Sequence, residues 1–155
     1  MKYDTLIIGA GAAGMMCAAH AIGRVLLVDH AKAPGDKIRI SVGGRCNFTN
    51  LHAAPKNFLS QNKHFCKSAL GRYAQWDFIE MVEKHHIAYH EKTLGQLFCD
   101  DSAKQIVTML RDEMDRAKAE LRLCCSVADL RKMDSGFEVT LEQSGQRSVV
   151  RSTHL

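Results

Sequence analysis

Apolar positions come first in short unbroken runs and later at helical or alternating spacing. Residues 5–8 are an apolar strand after a charged start, residues 12–22 a helix of small and apolar side chains, and Val25–Val28 a second buried strand. A β–α–β unit within the first thirty residues requires a right-handed crossover and a parallel pair. Residues 30–54 contain Pro34 and many Gly and Asn without a sustained period, and read as loop. Residues 76–86 then place Phe78, Ile79, Val82 and His86 on one helical face. "IAYHE" and "QLFC" read as short strands on either side of Gly95. Residues 102–117 form a second amphipathic helix carrying Ile106, Met109, Leu110 and Met114, with Asp100, Asp101 and Ser102 to cap it. The segments "ELRLCCSV", "ADLRKMD", "GFEVTLEQ" and "RSVVRS" alternate or run β-branched between turn residues, which predicts a β-meander. No linker-like stretch divides the chain.

At 155 residues the chain fits one domain with a real core. A formal charge of +4 without a block of like charges suits anionic small molecules, and no nucleic-acid partner is expected. No apolar run approaches membrane-spanning length and residues 1–4 lead straight into a strand, so neither a membrane partner nor a signal segment is expected. The six cysteines contain no C-x-x-C pair, and Cys124 and Cys125 are adjacent on a predicted strand with opposed side chains. These features predict reduced thiols and a cytoplasmic protein. The cluster of His85, His86 and His90 reads as a helix end, and no metal site is expected.

The first chemistry lies in "GAGAAG". Gly9, Gly11 and Gly14 form G-x-G-x-x-G directly after a strand and opening a helix. The first glycine permits the tight turn, the second lets the backbone approach a pyrophosphate, and the third lets helix and strand pack closely. Amides at the start of the helix, those of Ala12 and Ala13 among them, then face phosphate oxygens. Asp29 ends the second strand, where a carboxylate accepts both ribose hydroxyls and disfavours a 2′-phosphate. An NAD domain repeats its β–α–β unit at once, whereas this chain enters a glycine-rich loop and ends in a meander. The pattern therefore predicts FAD and an α/β, Rossmann-like FAD-binding domain of the glutathione-reductase class. An NAD-dependent dehydrogenase and a non-catalytic dinucleotide-binding module are the rivals.

A second glycine stretch, "GDKIRISVGGRCNFTN" at residues 35–50, resembles the G-x-K-x-x-x-S-G-G-G-R-C-N-x-T-N signature of a bacterial flavoprotein family. Its members are the BaiN-like or YhiN-like NAD(P)/FAD-dependent oxidoreductases, also known as aminoacetone-oxidase-type FAD enzymes. Gly35, Lys37, Ser41, Gly43, Gly44, Arg45, Cys46, Asn47, Thr49 and Asn50 match. The resemblance implies hydride transfer through the flavin, with NAD(P)H a candidate electron donor and an unidentified small-molecule substrate. It makes Lys37 and Arg45 partners of the two phosphates and Ser41, Gly43, Gly44, Cys46 and Asn47 part of the cofactor loop. Resemblance to glutathione-reductase-class domains makes Val127, in the strand after the second long helix, an adenine contact through its backbone. Cys46 is read as structural, since no second cysteine stands near it in sequence.

The chain departs from the family's pattern at several points, one of them Asp29 in place of glutamate, a shorter reach to the ribose. Val42 replaces the first glycine of the S-G-G-G run, which would cost on the order of 1–3 kcal/mol if that position requires a positive φ. Gln96 and Cys99 stand where the family has arginine and proline. The family continues beyond this point, so residues 1–155 are expected to be the N-terminal segment of a discontinuous FAD-binding domain, its last strand lacking a neighbour. No residue presents itself as a general acid or base.

Overall fold

The computed structural model describes residues 1–155 except the side chain of Val42. The chain divides into two compact units, Met1–Lys37 with Leu110–Leu155, and Ile38–Met109. Neither crossing has the composition of a linker, which is why the division leaves no mark in the sequence.

The first unit is built on a six-stranded sheet. Its strands are β1 (Lys2–Ile8), β2 (Val25–Val28), β6 (Glu120–Arg122), β7 (Cys125–Met133), β8 (Gly136–Gln143) and β9 (Gln146–His154), in spatial order β6-β2-β1-β9-β8-β7. The strands β6, β2, β1 and β9 pair in parallel, and β7, β8 and β9 form an antiparallel meander. All four residues of β2 are buried, as a central parallel strand covered on both faces requires. Each such Val or Leu contributes about 1.5–3 kcal/mol on burial. Tyr3, Leu6, Leu26, Val28, Val139, Leu141 and Val150 form one buried cluster, against which Val127 and Phe137 pack. Helix α1 (Ala12–His20) connects β1 to β2 and buries Met15 and Ala18.

Three expectations are corrected here. The last strand has neighbours on both sides, because β9 lies between β1 and β8. The segment "ELRLCCSV" is two strands: Cys124 takes φ 52° and its amide donates to the Ala31 carbonyl at 2.9 Å, turning the chain between β6 and β7. Cys124 is thus an exposed turn residue, while Cys125 opens β7 buried. Finally, a third parallel strand preceded by a helix does exist, since β6 follows α5 (Lys104–Arg116) and pairs with β2. Its distance along the chain from β2 concealed the repeat.

The second unit holds a three-stranded antiparallel sheet in the order β3-β5-β4, from β3 (Asn47–Asn50), β4 (Tyr89–Glu91) and β5 (Gln96–Cys99). Helix α4 (Gln75–Lys84) packs toward β3 through Phe78, whose ring lies 6.0 Å from that of Phe48. His85 and His86 end α4, the latter at φ 53°. The stretch read as loop contains α2 (Asp36–Ile40), a 3-10 turn at Ser41–Gly44 and β3. A further short helix, α3, spans Lys67–Arg72. Elements of four or five residues complete no hydrophobic period, and "NFTN" depends on pairing with β5 to be a strand.

Candidate functional site

In the first unit the three motif glycines do different jobs. Gly9 takes φ +104°, which an L side chain rarely adopts. A Cβ on Gly14 would stand 1.9 Å from the Gly9 carbonyl oxygen, so close packing of α1 on the turn excludes any side chain. Gly11 differs from both. Its backbone is extended (φ −82°, ψ −172°) and a Cβ there would meet nothing within 4 Å. Among the described residues, no contact or backbone angle requires glycine at position 11. The first helical hydrogen bond runs from the Met15 amide to the Gly11 carbonyl at 3.0 Å. The amides of Ala12 and Ala13 precede that bond, both residues are exposed, and the first turn carries no acidic residue. An exposed helix start with this charge distribution favours an anion.

Asp29 stands directly after β2, with its side chain only 14% exposed. One carboxylate oxygen accepts the Ala10 amide at 2.6 Å and the other the Ala31 amide at 2.8 Å, while His30 Nδ1 lies 3.4 Å from the latter oxygen. The residue expected to face a ribose therefore also clasps the glycine turn to the end of β2. Two carboxylate oxygens offer about four lone-pair directions, so capacity for a ribose hydroxyl is left. Backbone bonds extend the clasp, with the Asp29 carbonyl accepting the Cys125 amide and the Ala10 carbonyl accepting the Gly35 amide. Val127 lies on β7 opposite Leu141, partly buried against the core and next to a register shift. Lys37 closes this unit and is exposed.

The rest of the second stretch lies in the second unit. Gly43 and Gly44 take φ +67° and +84°. The Gly44 carbonyl accepts the Ala103 amide at 2.6 Å and the Arg45 carbonyl the Cys99 amide at 3.1 Å, which anchors the loop to β5 and the residues before α5. The Arg45 side chain is exposed. Ser41 Oγ donates to the Ile38 carbonyl at 2.8 Å. Asn47, with its amide turned to donate, reaches the carbonyls of Thr49 at 2.9 Å and Leu97 at 3.2 Å. The expectation placed on Val42 lies outside the described residues.

Cys46 is buried at φ 53° and has a cysteine in its electrostatic neighbourhood, Cys99, which sequence distance had concealed. Burial pushes both thiols up, Cys99 to about 11, and the Ser41 hydrogen bond only partly offsets this at Cys46. Such thiols are poor nucleophiles near neutral pH, which supports a structural role. His90, grouped in sequence with the helix end at His85 and His86, lies instead on β4, where its Nδ1 is 2.6 Å from Asp100 Oδ1. The two residues are ten positions apart, and only the pairing of β4 with β5 brings them together.

The model of the HI0933-like protein Rossmann domain matches residues 3–153. The chain belongs to this family. Among curated relatives, the chain is 59% identical over 143 residues to the ribosomal RNA dihydrouridine synthase of Escherichia coli (strain K12), covering 90% of this chain and 36% of that protein. It is 50% identical over 139 residues to the protein of the same name from Haemophilus influenzae, covering 88% and 35%. The chain thus spans about a third of the length of the curated relatives it matches. Among solved structures, the 3-ketosteroid-Δ4-(5α)-dehydrogenase of Rhodococcus jostii RHA1 superposes with a TM-score of 0.70 at 12% identity, covering 98% of this chain and 44% of that one. At that identity the likeness is one of fold. The fold is the expected α/β Rossmann-like fold of FAD-binding domains. Among the described residues, no helix is long and apolar enough to cross a membrane.

Proposed function

We propose that residues 1–155 are the N-terminal segment of a discontinuous FAD-binding domain, in a flavoenzyme that reduces a uracil base of ribosomal RNA. One observation supports the cofactor most: Gly11 has an ordinary extended backbone and open space where its Cβ would be, at the turn where the motif needs the backbone to lie close to a pyrophosphate. Gly9, Gly11, Ala12, Ala13 and Gly14 would hold the pyrophosphate through backbone amides, Asp29 would accept the ribose hydroxyls, and the Val127 backbone would meet adenine. Lys37, Ser41, Gly43, Gly44, Arg45, Cys46 and Asn47 are assigned to the same cofactor from the family signature alone. Bound FAD would supply hydride transfer, and NAD(P)H is the proposed electron donor. The finer placement among BaiN-like or YhiN-like oxidoreductases rests on that same signature.

The substrate reading rests on the names of the two relatives at 59% and 50% identity. It departs from the expectation of no nucleic-acid partner, which followed from a mild overall charge, and from the small-molecule substrate that the resemblance implied. The chain's own part is to bind and orient the dinucleotide; no described side chain is assigned as proton donor. Two measurements test the reading. The purified chain titrated with FAD should quench flavin fluorescence and retain the visible flavin band after gel filtration. A protein carrying this chain together with the remaining length of its relatives should add two hydrogens to a uridine of ribosomal RNA. A folded chain that retains no FAD would refute the first half, and a flavin-loaded protein that leaves ribosomal RNA unchanged the second.

A further inference from the structure

We propose that the face formed by residues 55–72 of the second unit is a contact surface for RNA; this rests on the RNA-directed reading above. The chain has 17 Asp and Glu, yet none occurs between Asp36 and Asp77. The seven Lys and Arg of residues 37–76 exceed the net +4 of the whole chain, so the remainder of the sequence is net acidic. Within this stretch Lys56, Lys63, Lys67 and Arg72 are exposed. None of the four forms an ion pair among the described residues. Most exposed arginines elsewhere are partnered, as Arg116, Arg131, Arg147 and Arg151 are with Glu113, Asp129, Glu142 and Glu138. Three of these cations, Lys56, Lys63 and Lys67, come together at one groove of the second unit.

That face is also shaped. Lys56, Phe58, Leu59, Lys63, His64 and Lys67 line a groove of about 410 Å³. Buried Cys66 supports it from below, its thiol 3.8 Å from the Pro55 carbonyl, and Asn62 Oδ1 accepts the His64 amide at 3.0 Å. Phe58, Leu59 and Phe65 are 40%, 93% and 53% exposed beside these cations. Lysines without carboxylate partners leave their charge to phosphates, and exposed aromatic faces accept stacked bases without regard to sequence. An anionic membrane would also attract lysines and apolar side chains. The RNA-modifying names of the relatives favour RNA as the occupant.

Fluorescence anisotropy of the chain with a labelled, uridine-containing single-stranded RNA, at several salt concentrations, tests the surface. The combined variant Lys56→Gln, Lys63→Gln and Lys67→Gln should bind at least about tenfold more weakly, and the slope of log affinity against log salt should fall by about two. Phe58→Ala should weaken binding about fivefold or more through lost stacking. Arg147→Gln, on the first unit, should stay within about twofold of the parent, and thermal melts should show all variants folded. A parent that ignores RNA, or a triple variant that binds it like the parent, overturns the proposal. So does dependence of phosphatidylglycerol-vesicle binding, and not RNA binding, on the same lysines. FAD titration of the same samples separates the two readings. A chain that retains FAD and ignores RNA overturns this surface alone, and one that binds RNA through these lysines without FAD overturns the flavin assignment alone.

Discussion

Replacing Gly11 and Gly14 in turn separates a glycine kept for a ligand from one kept for the fold. At Gly14 an added Cβ would stand 1.9 Å from the Gly9 carbonyl oxygen and 3.1 Å from its carbon, both backbone atoms in a turn already at positive φ. Neither can yield cheaply, so Gly14→Ala should cost at least the 1–3 kcal/mol typical of overpacking. For a chain of this size that is a fall in Tm of about 3–10 °C. At Gly11 the added side chain enters open space from an extended backbone. Gly11→Val should therefore leave Tm within a few degrees of the parent, since unstrained surface changes stay near ±0.5 kcal/mol. FAD affinity should nonetheless fall about a hundredfold or more, roughly 3 kcal/mol, because the valine occupies the place of the pyrophosphate. Thermal melts followed by circular dichroism, paired with FAD titration on each variant, read both quantities. A folded Gly11→Val protein that binds FAD like its parent would remove the physical reason for glycine at that position, and the cofactor assignment with it.

The other predictions concern groups whose partners are defined. Asp29→Ala removes two charge-assisted hydrogen bonds to the Ala10 and Ala31 amides, so it should lower stability by about 2–4 kcal/mol in chemical denaturation even without FAD; an unchanged midpoint would refute the clasp. Cys99, pushed up to about 11 by burial, should resist iodoacetamide in the native protein at pH 8 while exposed Cys17 and Cys124 react, as mass mapping would show. Its raised pKa favours the neutral thiol in the folded state. That stability is complete below the ordinary thiol range and is lost as pH climbs toward 11. For Glu120, burial opposes the charged form, but hydrogen bonds from Tyr3 (2.7 Å) and Arg122 (2.8 Å) outweigh it and hold the carboxyl below its usual range. The stability it lends is present above the usual carboxylate range and lost as pH falls through the depressed value. Urea midpoints between pH 6 and pH 3 should accordingly fall less in Glu120→Gln than in the parent; parallel curves would count against it.

The β–α–β start could be read from sequence because everything that defines it is local. Four buried aliphatic residues, a glycine turn and a short helix all lie within the first thirty positions. The places of β6 and β9 could not, since each pairs in parallel with a strand distant along the chain and a parallel partner leaves no turn signature between them. Residues 38–50 failed for another reason. Their elements are four or five residues long and are held by hydrogen bonds to β5 and Ala103, so their order is tertiary and not a matter of periodicity. The basic face was missed because a run of like charges was sought. Its sign is a gap without acids, within which the cations are spaced too widely to form a block.

The G-x-G-x-x-G pattern gives its three glycines separate tasks, and the geometry of the turn separates them too. Gly9 and Gly14 are needed to build the turn, Gly11 is not, and Asp29 belongs to both sides of the division. A glutamate after β2 reaches one carbon farther than an aspartate. The shorter side chain at position 29 instead finds the Ala10 amide of the glycine turn at 2.6 Å. A ribose hydroxyl would then have to bind a carboxylate whose oxygens already accept the Ala10 amide of the turn and the Ala31 amide. Nucleotide recognition and order of the turn would be coupled through that one group, so binding at one would strengthen the other. Asp29→Asn discriminates between coupling and a plain ribose contact. It keeps one acceptor oxygen and the side-chain length but gives up the charge and one amide bond. If the two are coupled, amide hydrogen exchange at Ala10 should speed up in the free variant by the same change that weakens FAD. If the carboxylate serves the ribose alone, FAD should weaken while exchange at Ala10 stays as in the parent.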